Sequence, residues 1–300
     1  MKVGVQLPLH VETADGPAIR RFITEVEELG YDSVWLGDHV VLPETIKDAS
    51  SYPYLWRFDA SIDELFPRKS FIEAASTAAY IAGVSERLEI GVGVFVAPMR
   101  EPVLLAKQLA TIDVLSRGRL IAGLGTGWLR EEFDSLGANY AERGARLDEY
   151  VEIMRTLWRD EQPVSFDGKF RSFEPLFCEP TPVRKTGVPL WVGGHTPRAL
   201  KRCARFGDGW QAIELAPDEF GRHASTLDHH IEAQGRAGSD VVKSVATRLS
   251  LSPGADVAAA ARTVADYAAN GCDHLVVYTT PSRSIEENLD RFRTLKSALG

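Results

Sequence analysis

The chain has 300 residues, 44% of them apolar and 25% charged, with a formal net charge of −8 at pH 7. That balance describes a globular protein with a sizeable core, long for one sandwich but ordinary for an α/β barrel or two small domains. The negative charge argues against a nucleic-acid groove or an anionic membrane surface as partner, while leaving room for a local basic patch that holds an anion.

Cys178, Cys203 and Cys272 lie far apart without a CxxC pattern, so they read as reduced thiols of a cytoplasmic protein. The first residues read as a strand and not as a signal peptide, and no apolar run approaches the length of a membrane span.

Strand and helix signals then alternate. Residues 3–7 form the first strand, and Pro17 opens a helix that ends at Gly30 with Ile19, Phe22, Ile23, Val26 and Leu29 on one face. A short apolar strand covers 33–36. A helix over 70–83, a strand over 88–96, a helix over 103–115 and a strand over 120–124 continue the pattern. An amphipathic helix spans 143–158. Strands over 189–192, 209–213, 245–251 and 274–278 follow, each leading into a helix: 197–206, 217–236, 257–270 and 285–299. Eight strands each followed by a helix predict a (β/α)8 TIM barrel, α/β in class, as one domain over 1–300; a doubly wound open sheet is the competitor.

Two connections exceed the usual loop length. Residues 40–69 follow a strand, so Tyr52, Tyr54, Trp56, Phe58 and Phe66 belong at the active-site end, as a substrate pocket or lid or as a self-packed surface loop. Residues 160–189 contain a small hairpin around Asp167-Gly168, which can fold across the barrel mouth.

The most informative stretch is Tyr31-Asp32-Ser33-Val34-Trp35-Leu36-Gly37-Asp38-His39. An apolar run ends on a glycine and presents a carboxylate and an imidazole where a barrel strand leaves the core. Asp38 and His39 can supply acid–base chemistry and cofactor contact from that tip; equally, Asp38 can start a turn and His39 sit in an ordinary loop. In Pro189-Leu190-Trp191-Val192-Gly193-Gly194-His195-Thr196-Pro197 a strand ends in two glycines before a helix start, whose N–H groups suit a phosphate. A tight turn capped by Thr196 is the plain alternative.

Gly123-Leu124-Gly125-Thr126-Gly127 is a second glycine-bearing strand end. It lacks the GxGxxG spacing and the later acidic residue of a dinucleotide fold, and suits close approach by a flat ring or a phosphate. Gly91 and Gly93 inside a buried strand point to a bulge, a ligand's approach or a packing constraint. His10, His39 and His195 at strand ends raise a metal-hydrolase reading, but there is no paired-histidine signature on the first strand and no HExxH, so no metal is expected. A Schiff-base aldolase needs a desolvated lysine near a strand; Lys2 and Lys243 stand only at strand beginnings.

Gly37-Asp38-His39, the glycine-bearing strand leading to Pro98-Met99-Arg100-Glu101-Pro102, and Gly125-Thr126-Gly127-Trp128-Leu129-Arg130-Glu131-Glu132-Phe133 occur in that order. Pro189-Leu190-Trp191-Val192-Gly193-Gly194 and Phe206-Gly207-Asp208-Gly209-Trp210 follow them. The ordered set resembles the bacterial luciferase-like monooxygenase superfamily and, within it, the deazaflavin (coenzyme F420)-dependent oxidoreductases, over nearly the whole chain. The resemblance implies a TIM barrel with a flavin or deazaflavin across its C-terminal mouth. It makes Asp38 a contact of the ring and His39 the proton donor or acceptor. It places a bulge with a non-prolyl cis peptide at Val94-Phe95, with Ala97 beside it, against the back of the ring. Thr126, Gly127, Gly193, Gly194 and His195 would bind the phosphate, and Tyr52, Tyr54, Trp56 and Trp128 the substrate. A homodimer is implied as well.

One departure bears on activity. The family's sugar-phosphate dehydrogenases carry a glutamate just after Gly-Thr-Gly, where this chain has Trp128, so sugar-phosphate oxidation is not expected. Glu131 and Glu132 come too late on the helical turn to be equated with that glutamate. The expected activity is F420-dependent hydride transfer to or from a small organic molecule. The alternative is an FMN-dependent monooxygenase using molecular oxygen and a partner reductase. A barrel without catalytic activity is disfavoured by His39 standing with both anion candidates.

Overall fold

A computed structural model of the chain describes residues 1–8, 14–46, 71–252, 254–279 and 284–300. The strands are β1 (Lys2–Gln6), β2 (Ser33–Leu36), β3 (Glu89–Val96), β4 (Leu120–Gly125), β5 (Val164–Asp167), β6 (Ser172–Leu176), β7 (Leu190–Gly193), β8 (Gly209–Ile213), β9 (Val242–Leu249) and β10 (His274–Thr279). All but β5 and β6 close one parallel barrel in the order β1-β2-β3-β4-β7-β8-β9-β10, with β10 paired back to β1. The eight predicted strands are therefore the eight barrel strands. Among the described residues no helix is long and apolar enough to cross a membrane.

The helices are α1 (Gly16–Glu28), α2 (Ala74–Val84), α3 (Pro102–Leu115), α4 (Arg130–Ser135), α5 (Arg143–Leu157), α6 (Pro197–Phe206), α7 (Pro217–Glu232), α8 (Val257–Ala269) and α9 (Ile285–Leu299). Their starts follow from local chemistry. Asp15 accepts the Ala18 N–H and Pro17 occupies a first-turn position that needs no donor; Ile19, Phe22, Ile23 and Val26 then bury one stripe against the barrel. Thr196 and Pro197 repeat the device at α6, and Ser284 caps α9 by accepting the Glu287 N–H. The short helix α4 is the helical turn expected around Glu131 and Glu132, though six residues carry too little periodicity to fix its bounds from sequence.

Aromatic rings fill the lower barrel. Trp35 and Trp191 lie 5.2 Å apart between centroids, and both meet the His274 ring edge-on. Room for them comes from neighbouring strands: a Cβ on Gly91 would stand 2.3 Å from Trp35, and one on Gly209 2.5 Å from Trp191. Trp35 Nε1 donates to Ser33 Oγ at 2.8 Å, and that hydroxyl lies 2.7 Å from His274 Nε2. The Ser33 hydroxyl thus joins the indole and the imidazole in one buried polar contact. Burial, with Lys2 nearby, pushes the His274 pKa down to about 3.

Above this layer the Val94 side chain enters a niche made by glycines of two neighbouring strands. A Cβ on Gly125 or Gly193 would come within 2.2 or 2.6 Å of its methyl groups, and one on Gly123 would meet the Val92 carbonyl oxygen at 2.3 Å. Register between β3 and β4 shifts between Val92 and Phe95, so the bulge lies where expected, but the cis peptide is Gly93–Val94, one bond earlier than anticipated. The residue that leaves the regular ladder for the niche is Val94, and the irregular link is the one that precedes it.

The 160–189 excursion does not cross the mouth. Its hairpin pairs Asp167 with Ser172 around a four-residue loop, so Asp167-Gly168 opens the loop instead of forming a two-residue turn. The loop N–H groups of Lys169, Phe170 and Arg171 all donate to the Glu149 carboxylate on α5. Farther on, the Val183 N–H donates to Asp113 on α3. These ties hold the segment against the outside of α3 and α5.

Two stability predictions follow from the interior. Gly123→Ala sets a methyl against a main-chain oxygen that cannot rotate away, and is expected to cost about 2–3 kcal/mol in urea unfolding. His274 is neutral when folded and takes up a proton on unfolding at acid pH. Its contribution is therefore complete above the unfolded value near 6.5 and is lost as pH falls toward about 3. Denaturation curves of His274→Phe are expected to show a shallower fall in stability across that window than those of the native chain.

Candidate active site

The C-terminal rim of the barrel carries the strand tips. At the end of β2, Asp38 and His39 are both nearly buried and point to different partners. Asp38 receives Arg100 through two hydrogen bonds, of 2.8 Å from Nη1 and 2.6 Å from Nη2, and the Val96 N–H at 2.8 Å. Burial disfavours both charges. At Arg100 the facing Asp38 outweighs that burial and keeps the guanidinium protonated, while at Asp38 desolvation is the larger effect and lifts the carboxyl above its ordinary value. The bidentate geometry nonetheless belongs to a charged pair. Asp38 thus ties the β2 tip to the segment after the β3 bulge, a positioning role distinct from the ring contact expected of it.

His39 faces a second buried carboxylate. Its Nδ1 lies 3.0 Å from Glu132 Oε2, while Glu132 Oε1 accepts the N–H groups of Val40 at 2.6 Å and Val41 at 3.2 Å. A carboxylate only accepts, so the Nδ1 proton is fixed on the Glu132 side. The imidazole is framed edge-on by Phe71 at 5.4 Å and Trp128 at 6.0 Å between centroids. Trp128, expected at the substrate, therefore stands beside His39.

Sequence reasoning set Glu132 aside, and a signal for it existed. Leu129, Glu132 and Phe133 share one face of the α4 turn and all are buried. An acidic residue on an apolar helical stripe asks for a specific partner.

The remaining expected residues divide. Gly93 and Val94 reach the accessible face of β3, whereas Phe95 and Ala97 are wholly buried and their side chains cannot line the mouth. Thr126 and Gly127 at the β4 end stand next to Gly193, Gly194 and His195 at the β7 end, because β4 and β7 are hydrogen-bonded neighbours. The two anion candidates thus form one place on the rim. The Gly194 amide is already taken by the Gln211 carbonyl at 3.0 Å, and its own carbonyl accepts from Trp210 Nε1 at 2.7 Å. Gly194, with φ +98°, serves this turn, while the neighbouring His195 ring packs 5.6 Å from His223. Tyr52, Tyr54, Trp56 and His10 lie outside the described residues. Among the described residues no cluster of His, Cys, Asp and Glu could hold a metal ion.

A flat conjugated ring fits the rim. Val94 provides an apolar shelf, and beside it the buried Gln211 Oε1, which has no hydrogen-bond partner, lies where a Cβ on Gly93 would be.

Comparison with known proteins agrees with this architecture. An uncharacterized protein of Mycobacterium tuberculosis is 32% identical over 210 residues, 70% of each chain. A phthiodiolone/phenolphthiodiolone dimycocerosates ketoreductase of the same organism is 28% identical over 69% of this chain and 54% of its own. Among solved structures, an F420-dependent secondary alcohol dehydrogenase in complex with an F420-acetone adduct superposes with a TM-score of 0.79 at 17% identity, covering 100% of this chain and 99% of that one. A monooxygenase from Streptomyces bottropensis gives 0.80 at 19%, covering 100% and 98%. The luciferase-like monooxygenase family matches residues 1–291, and the chain belongs to that family.

Proposed function

We propose that this protein is a deazaflavin (coenzyme F420)-dependent oxidoreductase that moves a hydride to or from a carbon of a small organic substrate. The observation that carries the reading is the His39–Glu132 pair, enclosed by Phe71 and Trp128 at the β2 tip. When bound, the deazaflavin supplies or takes the hydride, and the protein supplies orientation and proton management. His39 Nε2 gives or receives the proton that accompanies the two-electron change at a carbon–oxygen bond. Glu132 holds the ring in the required tautomer and offsets the charge of the imidazolium. Asp38 and Arg100 hold the β2 tip against the β3 bulge, so the imidazole and the Val94 shelf keep a fixed relation.

The cofactor would lie over Val94, with its phosphate at Thr126, Gly127, Gly193 and His195. The Gly37-Asp38-His39 tip, which resembles that of deazaflavin users, supports F420, as do an F420-dependent alcohol dehydrogenase of the same fold and a ketoreductase relative. The second reading, an FMN-dependent monooxygenase, draws on the equal likeness to a monooxygenase structure.

Titration of the purified protein with F420 and with FMN separates the two. Micromolar or tighter binding of F420, with FMN at least tenfold weaker, is expected; nanomolar FMN binding without F420 binding would overturn the proposal. In the F420-loaded enzyme, His39→Ala and Glu132→Gln are expected to lower turnover of the best ketone or alcohol by about 100-fold and 10- to 100-fold respectively, with F420 affinity within twofold of native. Unchanged turnover in His39→Ala would remove the proton role.

A further inference from the structure

Gly209, two residues before Gln211 on β8, faces the barrel interior, since a Cβ there would enter the Trp191 ring. Strand alternation therefore sends the Gln211 side chain inward one layer higher. It reaches across to β3, although β4 and β7 separate the two strands around the ring. A Cβ on Gly93 would stand 2.4 Å from Gln211 Oε1 and 2.9 Å from its Cδ and Nε2. The whole carboxamide thus occupies the place that Gly93 leaves empty. Gly93 is exposed at the mouth, and the next residue is the Val94 shelf. Gln211 itself is only 5% exposed, and among the described residues its Oε1 has no hydrogen-bond partner. A carboxamide carries two donors and two lone pairs, and burying it unpaired forfeits hydration that an apolar side chain of similar size does not need. Asp38 and Glu132, by contrast, spend their oxygens on protein donors. The Gln211 head is left for a partner that comes from outside.

We propose that Gln211 is a cofactor-recognition residue, whose carboxamide pairs with the carbonyl–imide edge of a ring bound over Val94. Flavin and deazaflavin share that edge: an N–H at ring position 3 between two carbonyls. A primary carboxamide is its complement, with a carbonyl oxygen for the N–H and an amide N–H for the adjoining carbonyl. The terminal torsion of a glutamine is broad and roughly two-fold, so the head turns either atom toward the mouth at little cost. A site built to pair both groups discriminates strongly against a ring that lacks one of them. The assignment rests on the reading that a flat ring lies over Val94, but not on which of the two rings it is.

Fluorescence titration of the full chain tests it with F420, FMN and the N3-methyl derivative of each, in which a methyl group replaces the ring N–H. The native chain is expected to bind its preferred parent at least tenfold more tightly than the N3-methyl form. Gln211→Leu, similar in size but apolar, is expected to weaken the parent at least tenfold and to shrink that preference to within twofold. An unpaired buried head does not stabilise the free protein, so Gln211→Leu without cofactor is expected to melt no lower than the native chain. A native preference below twofold, or one unchanged in Gln211→Leu, would overturn the assignment. It would leave the head to a buried water shared with Ser244, the register partner whose own Oγ is unpaired. Melting well below the native chain would overturn it as well, by making Gln211 a structural residue. FMN bound in preference to F420, with the loss in Gln211→Leu intact, sinks the F420 reading alone. Binding of neither ring removes both.

Discussion

A closed barrel must fill its own interior, and in this chain two tryptophans and a neutral histidine do so by taking space that neighbouring strands give up. Trp35 lies where a Gly91 side chain would be, Trp191 where one on Gly209 would be, and His274 closes the layer through Ser33. The upper layer repeats the device with Val94 over glycines of β4 and β7. Close packing at this density leaves no room for a second side chain, so small residues and large ones specify each other across strands. The mouth is consequently flat and apolar on one side.

The functional geometry rests on that floor through two buried carboxylates with different tasks. Asp38 fastens the β2 tip to Arg100 and the Val96 amide, and Glu132 fastens His39 together with the two peptide groups after it. A buried carboxylate that accepts several donors is costly to displace, so each holds a strand end that would otherwise be a free loop. An imidazole so fixed is a better proton-exchange group than a mobile one, because its orientation is settled before a substrate arrives. The chain's membership of the luciferase-like monooxygenase family gives this arrangement its chemical setting.

Much of the architecture was legible in the chain. Apolar periodicity, Pro17 and Thr196-Pro197 marked helix starts for reasons that need only a few neighbouring residues. The Gly37-Asp38-His39 tip was legible because a strand end is a local event whose side chains must leave the core. The glycines were harder. Gly125 and Gly193 signalled close approach by something, but whether that was a ligand or another side chain depended on Val94, about 30 and 100 positions away along the chain. Glu132 escaped for a related reason: its partner lies 93 residues earlier, and the spacing after Gly-Thr-Gly pointed elsewhere.

By itself the sequence determined the eightfold alternation, the eight barrel strands and the place of the Gly37-Asp38-His39 strand tip, since these follow from hydrophobic period, capping and turn chemistry within short windows. Tertiary structure alone decided that Asp38 anchors while His39 is paired to Glu132, and that the 160–189 hairpin lies on the outer helices. Each of those depends on barrel closure, which brings into hydrogen-bond reach groups that no local pattern connects.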